Sequence, residues 1–253
     1  MTKFILNSNM ISKSKIKLIK SLKYKKTRDE LNLFLVEGLK GILEVNKSNY
    51  DIHFTVISKK IYNQYKNFLP SNNIFILEEN EINELSSLQN NLVGFCVVKT
   101  ILKDLSQNNL DEITIALDSI SDPGNLGSII RNADWFGIKN IICSKDSVDL
   151  YNPKTIQSSM GSFTRVNVYY KDLDNFFKNS DLKVIGTSSN TKNNFKKNRS
   201  FNGVILFGNE SHGISKNLSN YVDQWLSIKK IGEAESLNVA VATGIILNQL
   251  TND

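Results

Sequence analysis

Segments whose apolar residues recur at helical spacing alternate along this chain with short, continuous apolar runs typical of strands. This alternation predicts an α/β protein. In the first hundred residues, segments with apolar positions at helical spacing alternate with short apolar runs. The pattern predicts helices near 12–23, 38–45 and 58–67, and strands near 33–37, 52–57, 74–77 and 92–98. We interpret residues 1–102 as one compact α/β domain.

A second domain is predicted to begin after a polar stretch. Residues 103–111 read KDLSQNNLD, which predicts a linker. The apolar run at 113–120 is too continuous for a half-exposed strand. Further strands are predicted at 140–144, 182–187, 203–207 and 224–228, with helix-length segments between them. We therefore expect residues 112–253 to form a parallel sheet with helices on both faces.

The composition narrows the class of protein. A chain of 253 residues with 40% hydrophobic content can bury a substantial core. Its apolar runs are all shorter than the roughly 18–20 residues of a membrane span, and it shows no signal-peptide pattern. Cys96 and Cys143 stand far apart in apolar runs, which argues against a disulfide framework or a metal cluster. We expect a soluble protein of a reducing cytoplasm, with no membrane partner.

The charge favours a polyanionic partner, since the net charge is +6 and the isoelectric point is near 9.1. Nine basic residues precede the first acidic one: Lys3, Lys13, Lys15, Lys17, Lys20, Lys23, Lys25, Lys26 and Arg28. Interleaved apolar residues predict an amphipathic helix with one face packed and one toward phosphates. The alternatives are a solvated helix face or a transit peptide. The unbroken continuation into a strand pattern favours a part of the fold over a transit peptide.

Three turns, each following an apolar strand pattern, carry the candidate chemistry. They read DPGNLGSIIR (122–131), FGNESHGIS (207–215) and SLNVAVATG (236–244). In the first, Asn125 can be simply a helix N-cap, and the glycine spacing differs from the G-x-G-x-x-G of dinucleotide-binding folds. Arg131 lies further along the same helix, near strand ends where ligands of open α/β sheets bind. Together the turns indicate a nucleotide-type cofactor site assembled from loops.

In the second turn, Gly208 allows a ligand to approach the backbone, and Glu210 can orient a hydroxyl or an amine. His212 is interpreted as a surface hydrogen-bonding residue in preference to a general base. In the third turn, Ser236 has the chemistry of an N-cap, and Asn238 is expected in the first turn of the helix. Small residues at 240 and 244 allow close backbone approach, either within the core or across a dimer.

Taken in this order, N-L-G-S-I-I-R, F-G-N-E-S-H-G-I and S-L-N-V-A-V-A resemble the three motifs of the SpoU/TrmH family of RNA 2′-O-ribose methyltransferases, within the SPOUT superfamily. The resemblance covers about residues 113–250. K-Y-K-K-T-R followed by F-L-V-E-G is similar, less specifically, to the opening of the substrate-binding domain that precedes the catalytic domain in many members. The resemblance implies S-adenosylmethionine as cofactor, no metal, a C-terminal trefoil knot, and a homodimer with its site near the interface.

The resemblance also implies roles for individual residues. The catalytic set is Asn125, Arg131, Glu210, Ser236 and Asn238. The cofactor-binding set is Thr187, Gly208, Ile228 and Leu237, and the RNA-binding set is Lys23, Lys25, Lys26 and Arg28. The family's usual candidate for the base is the motif arginine, here Arg131, but a guanidinium rarely loses its proton, so an anchor for phosphate or a developing alkoxide is the alternative.

The chain departs from the family at one place. Where many members have Ile-Pro-Met before the third motif, this chain reads Ile228-Lys229-Lys230, which changes the cofactor loop. Every residue assigned to chemistry is retained, so an active enzyme is expected. Its substrate is expected to be ribosomal RNA, with transfer RNA second. The remaining alternative is a catalytically silent RNA-binding or assembly factor, whereas a dehydrogenase would require the missing glycine fingerprint.

Overall fold

The computed structural model describes residues 11–70, 73–88, 90–101, 103–105, 110, 112–189 and 201–251. Lys3 and much of the predicted linker at 103–111 lie outside these ranges. The chain divides into two compact units. The first unit comprises Met1–Leu102 and Tyr151–Thr164, and the second comprises Lys103–Leu150 and Arg165–Asp253.

Helices and strands alternate through both units. The helices are α1 (Lys13–Ser21), α2 (Lys25–Leu31), α3 (Leu39–Asn46), α4 (Lys59–Tyr65), α5 (Glu79–Leu85), α6 (Pro123–Trp135), α7 (Pro153–Ser158), α8 (Leu173–Lys178), α9 (Lys216–Ser219) and α10 (Val239–Thr251). The strands are β1 (Leu33–Glu37), β2 (Ile52–Ser58), β3 (Ile74–Leu77), β4 (Gly94–Lys99), β5 (Thr114–Leu117), β6 (Asn140–Ser144), β7 (Asn167–Lys171), β8 (Val184–Thr187), β9 (Val204–Phe207) and β10 (Gln224–Leu226). Short 3-10 turns lie at Lys66–Phe68 and Ser162–Thr164.

The first unit is built on a four-stranded mixed sheet in the order β1-β4-β2-β3. β4 is antiparallel to both of its neighbours, and β2 is parallel to β3. The predicted amphipathic character of α1 is confirmed, because Ile19 is buried in the same apolar cluster as Phe54 and Phe95 of the sheet. The predicted strands of this unit are confirmed to within two residues at each end.

A segment from the middle of the chain, residues 151–164, packs in the first unit. The Tyr151 hydroxyl accepts a hydrogen bond from the Ile101 N–H and donates one to the Ile101 carbonyl. Phe163 is fully buried, with its ring centroid 5.9 Å from that of Phe34 and 5.5 Å from that of Tyr50. The aromatic core of the first unit therefore includes residues from 151–164 as well as from the predicted domain at 1–102.

The second unit contains a six-stranded sheet in the order β10-β8-β9-β5-β6-β7, and every pairing in it is parallel. The parallel sheet predicted from the alternating pattern is confirmed, although β7 at its edge was not predicted. All residues of β5, β6 and β9 are buried, as continuous apolar strands between helical layers should be. The carboxyl ends of the strands meet at one edge, where the three motif loops follow.

Helix α10 packs against α6 in the second unit. The Asn132 side chain of α6 donates a 2.7 Å hydrogen bond to the Ala240 carbonyl, and a Cβ atom at Gly244 would lie 3.3 Å from Asn132 Nδ2. The small residues at 240 and 244 thus permit a contact within the chain. Within the described ranges, no helix has the length and apolar character needed to cross a membrane.

Candidate active site

The third motif begins α10 with an asparagine cap. Asn238 Oδ1 accepts from the N–H of Ala240 at 2.9 Å and of Val241 at 3.3 Å. The helix starts at Val239, so Ser236 is not its N-cap, although a serine has the chemistry of one. Serine and asparagine both cap well, but here only the asparagine is placed to reach the first free N–H groups. Ser236 lies on the exposed segment before the helix.

One residue from each motif joins a line of hydrogen bonds. Because Asn238 Oδ1 faces its own helix, its Nδ2 faces outward and donates to Asn125 Oδ1 at 2.8 Å. Asn125 Nδ2 in turn donates to Glu210 Oε1 at 2.8 Å. This sequence of donors and acceptors fixes the orientation of both amides, since the carboxylate end only accepts. The structure therefore brings together Asn125, Glu210 and Asn238, as the motifs predicted.

The second motif is a tight loop that positions Glu210. Asn209 and Gly213 exchange two backbone hydrogen bonds, at 3.0 and 2.9 Å. A Cβ atom at Gly208 would lie 2.1 Å from the Gly213 carbonyl carbon, so only glycine fits there. Asn209 Oδ1 accepts from the N–H groups of Ser211 and His212. His212 is exposed, and its Nδ1 lies 3.3 Å from that same oxygen, which agrees with its interpretation as a surface hydrogen-bonding residue.

A polar network behind this loop was not predicted from the sequence. Ser119, just after β5, has a φ of +57°, and its carbonyl accepts a 2.7 Å hydrogen bond from Asn209 Nδ2. The Ser119 hydroxyl donates to Asp146 at 2.6 Å, and this contact, with a smaller one from Ser144, lowers the pKa of Asp146. Asp118 accepts from the Ser215 N–H at 2.8 Å. The left-handed serine therefore links the ends of β5 and β6 to the second motif.

Arg131 lies on α6, six residues after Asn125. The helical rise places the two Cα atoms about 9 Å apart along the helix axis. Its side chain is exposed and has no hydrogen bond or ion pair to any other described residue. The Arg131 guanidinium is therefore not part of the hydrogen-bonded line formed by Glu210, Asn125 and Asn238.

The predicted cofactor residues follow the carboxyl ends of three adjacent strands. Thr187 ends β8, Gly208 follows β9 and Ile228 lies two residues after β10. These strands are neighbours in the order β10-β8-β9, so one ligand at this edge can contact all three positions. Leu237 lies beyond them, on the coil that precedes α10, and is about half exposed.

The coil at residues 229–237 offers backbone polar groups at the same edge. Its residues are exposed and have no backbone-to-backbone hydrogen bonds within the described part of the chain. Such groups, with the half-buried Ile228 beside them, can hold a ligand that has both polar and apolar parts. S-adenosylmethionine is a ligand of this kind. Among the described residues, no group of three or more His, Cys, Asp or Glu side chains could hold a metal ion.

The predicted RNA-binding residues lie in the first unit, and the structure separates them into two kinds. Lys23, Lys25 and Lys26 are exposed. Arg28 is only 2% exposed, and its Nη1 donates to the carbonyls of Leu22 and Lys23 at 2.9 Å. Its assignment to RNA contact is corrected here, because the guanidinium caps free carbonyls at the end of α1 and is inaccessible to a phosphate.

Comparison with known proteins shows which protein family the chain resembles. Residues 112–248 match the model of the SpoU rRNA Methylase family, and residues 13–91 match the MRM3-like substrate binding domain. The chain is 29% identical over 245 residues to the 23S rRNA (guanosine(2553)-2'-O)-methyltransferase RlmP of Bacillus subtilis, covering 93% of this chain and 95% of that protein. It is also 29% identical over 155 residues to the 23S rRNA (guanosine-2'-O-)-methyltransferase RlmB of Pasteurella multocida, covering 59% of this chain and 63% of that one.

Solved structures agree with these matches. A TrmH-family protein from Porphyromonas gingivalis superimposes with a TM-score of 0.81 at 27% identity, over 95% of this chain and 98% of that chain. The AdoMet-bound rRNA methyltransferase from Sinorhizobium meliloti superimposes with a TM-score of 0.79 at 26% identity, over 95% of each chain. With three motif residues joined at the edge of a parallel sheet and more than half of its length matched, the chain belongs to the SpoU rRNA Methylase family.

Proposed function

We propose that this protein transfers the methyl group of S-adenosylmethionine to a ribose 2′-hydroxyl of ribosomal RNA. The observation that carries the proposal is the line of hydrogen bonds from Asn238 through Asn125 to Glu210. It joins all three family motifs at the sheet edge where ligands of parallel α/β folds bind.

The two asparagines suit the task of positioning an acceptor ribose. Each primary amide has two N–H donors, and one N–H of each is used within the line. The second N–H of Asn125 and of Asn238 is available to an oxygen of the ribose. The Glu210 carboxylate polarises and orients the line from its acceptor end. Positioning of this kind supplies much of the rate in a transfer between two bound reactants.

Arg131 supplies positive charge on the same helix, α6, as Asn125. A 2′-hydroxyl that loses its proton to solvent water develops negative charge on oxygen, and a guanidinium within reach of that oxygen stabilises the charge. We assign Arg131 to the alkoxide or to the neighbouring phosphate in preference to the role of base, because an arginine is effectively always protonated. Ser236 remains a proposed contact of the acceptor, on the exposed segment before α10.

Thr187, Gly208, Ile228 and Leu237 would hold the cofactor, together with the backbone of residues 229–237. When bound, S-adenosylmethionine supplies an electrophilic methyl group on its sulfonium. The Thr187 hydroxyl donates to the Leu206 carbonyl at 3.0 Å, which holds the end of β8 against β9 beside the proposed adenine position. Lys229 and Lys230 are exposed, so their replacement of the family's Pro-Met changes the solvent side of the loop.

We further propose that the protein is a homodimer and that its C-terminal segment forms the family's trefoil knot. Support for the dimer comes from large apolar side chains that are exposed on the second unit. Trp135 at the end of α6 is 84% exposed and Val241 on α10 is 52% exposed. Exposed apolar side chains of this size are typical of a surface that is covered in an assembly. The proposal of the knot rests on the family membership.

Ribosomal RNA is favoured as the substrate because the relative matched over 95% of its length is named for 23S rRNA. The test is to map 2′-O-methyl positions in cellular RNA with and without this gene. A single ribosomal RNA position that loses its methyl group supports the proposal, and a transfer RNA position would redirect it. If both RNA pools keep every methyl group, the result would favour a catalytically silent assembly factor over an enzyme.

A further inference from the structure

A groove on the first unit combines an apolar lining with cationic and amide side chains, a composition suited to RNA. It encloses about 960 Å³, and all of its lining residues belong to the first unit: Lys23, Ser87, Leu88, Asn90, Asn91, Leu92, Val93, Asn152, Pro153, Lys154 and Gln157. It adjoins a smaller cavity of about 280 Å³ that shares Lys23, Ser87 and Pro153. Two cations, several side-chain amides and no acidic residue line the larger cavity.

One wall of the groove comes from the segment at residues 151–164. Lys154 and Gln157 lie on α7 and are exposed. The segment is anchored on both sides of α7, by Tyr151 against Phe34 and by Phe163 in the same aromatic cluster. These residues fall inside the stretch that matches the methylase family model, yet they pack in the unit that matches the substrate-binding model. The groove is therefore complete only when both matched stretches of the chain contribute to it.

A second part of the lining is a loop held by Glu37, the acidic residue of the F-L-V-E-G motif. The Glu37 carboxylate accepts hydrogen bonds from the hydroxyl groups of Ser86 and Ser87, from the Ser87 N–H at 3.0 Å and from Asn91 Nδ2 at 3.0 Å. Asn91 also accepts from the N–H groups of Val93 and Gly94. Because a carboxylate accepting several hydrogen bonds fixes its donors, Ser86, Ser87 and Asn91 are preorganised before any ligand binds.

We infer that this groove binds a single-stranded segment of the RNA substrate, an inference that rests on the proposed function. Lys23 and Lys154 match phosphates, and the amides of Asn90, Asn152 and Gln157 match base edges. Lys23 Nζ lies 4.9 Å from the ring centroid of Tyr24, which is 58% exposed and presents an aromatic face for base stacking. Glu84 lines the smaller cavity together with Lys20 and Lys23, and the Glu37 carboxylate beside the larger cavity is engaged by Ser86, Ser87 and Asn91.

The test measures how RNA affinity depends on salt. A fluorescein-labelled single-stranded RNA oligonucleotide is titrated with the wild type and with Lys23→Ala/Lys154→Ala at several KCl concentrations. Each lysine that neutralises a phosphate contributes about 0.7 to the slope of log K against log [salt] for single strands, so the double variant should lose about 1.4. Lys59→Ala/Lys60→Ala, which removes the same charge from exposed positions on α4 outside the groove, is the matched control.

A slope in the Lys23/Lys154 variant equal to that of the Lys59/Lys60 control would overturn the inference. S-adenosylmethionine binding, measured by calorimetry on the same three proteins, is the second readout. The affinity for the cofactor depends on the second unit and should be the same in all three proteins. Equal affinities would show that the second unit is folded in each variant. If no protein binds the cofactor while the slopes still differ, the proposed function fails and the groove stands.

Discussion

Asn238 and Asn125 are 113 positions apart in the sequence, and the side-chain amide of Asn238 donates a 2.8 Å hydrogen bond to Asn125 Oδ1. The same Asn238 caps α10 through its other side-chain atom. One residue therefore both starts a helix and positions a neighbouring motif. Its two roles use different atoms, so substitutions can separate them.

Two substitutions at Asn238 should separate its effect on stability from its effect on methyl transfer. Asn238→Asp keeps an oxygen for the N–H groups of Ala240 and Val241 but loses the amide donor to Asn125. We expect it to melt close to the wild type while methyl transfer falls by roughly 10² or more, as for lost transition-state donors. Asn238→Ala should lose the cap as well, at about 1 kcal/mol. Thermal melts and methyl incorporation measure the two effects, and an aspartate variant with full activity would remove Asn125 and Asn238 from the mechanism.

Arg131→Ala should lose methyl transfer by a factor of roughly 10²–10³, because the charge that stabilises the alkoxide or holds the phosphate is gone. Cofactor affinity should be largely retained, since other residues, Thr187, Gly208 and Ile228 at the strand ends, are proposed to hold the cofactor. Arg131→Lys keeps the positive charge but loses the guanidinium. Partial activity in this variant would indicate that Arg131 acts through its charge, as an anchor for the alkoxide or the phosphate. Retained turnover in the alanine variant would contradict any catalytic role for this side chain.

Gly208→Ala should destabilise the protein and weaken cofactor binding. The added Cβ would lie 2.1 to 2.4 Å from backbone atoms of Gly213 and Ile214, so the second-motif loop must open. Overpacking of this kind costs about 1–3 kcal/mol. Thermal denaturation measures the loss, and calorimetry with S-adenosylmethionine measures the binding. Gly232→Ala is the control for stability, because a Cβ there meets nothing within 4 Å; equal melting of both variants would contradict the account of Gly208.

The Ser119–Asp146 contact should make stability depend on pH in a defined direction. The Ser119 hydroxyl, with a smaller contribution from Ser144, lowers the folded-state pKa of Asp146 below its ordinary value of 3.8. A carboxyl with a lowered pKa stabilises the fold above its unfolded pKa, and this contribution disappears as pH falls through the folded pKa. Wild type should therefore be more stable than Asp146→Asn at pH 7, and the difference should shrink below about pH 4. Urea denaturation at both pH values measures it; a constant difference would exclude the linkage.

Much of the fold could be predicted because burial imposes a period on the sequence. β1 and β6 lie at the predicted 33–37 and 140–144, since both are continuous apolar runs. β7, with only two of its five residues fully buried at the sheet edge, has a weaker pattern and was missed. The meeting of Asn125, Glu210 and Asn238 was expected from the order of the three motifs and their resemblance to the family, because each turn taken alone also allows a reading as a simple turn or helix cap.

The missed features depend on contacts between distant parts of the chain. The burial of Arg28 follows from carbonyls left free where α1 ends, which no local pattern of lysines and arginines indicates. The packing of Phe163 in the first unit depends on aromatic partners more than a hundred residues earlier, at Phe34 and Tyr50. Ser119 was overlooked because a left-handed conformation is uncommon for serine and leaves no sequence signal.

The most direct test of the central claim is the chemical position of the transferred methyl group. Purified protein is incubated with an unmodified ribosomal RNA transcript and S-adenosylmethionine that carries a labelled methyl group, and the RNA is then hydrolysed in alkali. A 2′-O-methyl group blocks cleavage of the adjacent phosphodiester, so the account predicts label in alkali-resistant dinucleotides, and its loss in Asn125→Ala. Label released as mononucleotides, or no label in RNA from an enzyme that binds the cofactor, would contradict it.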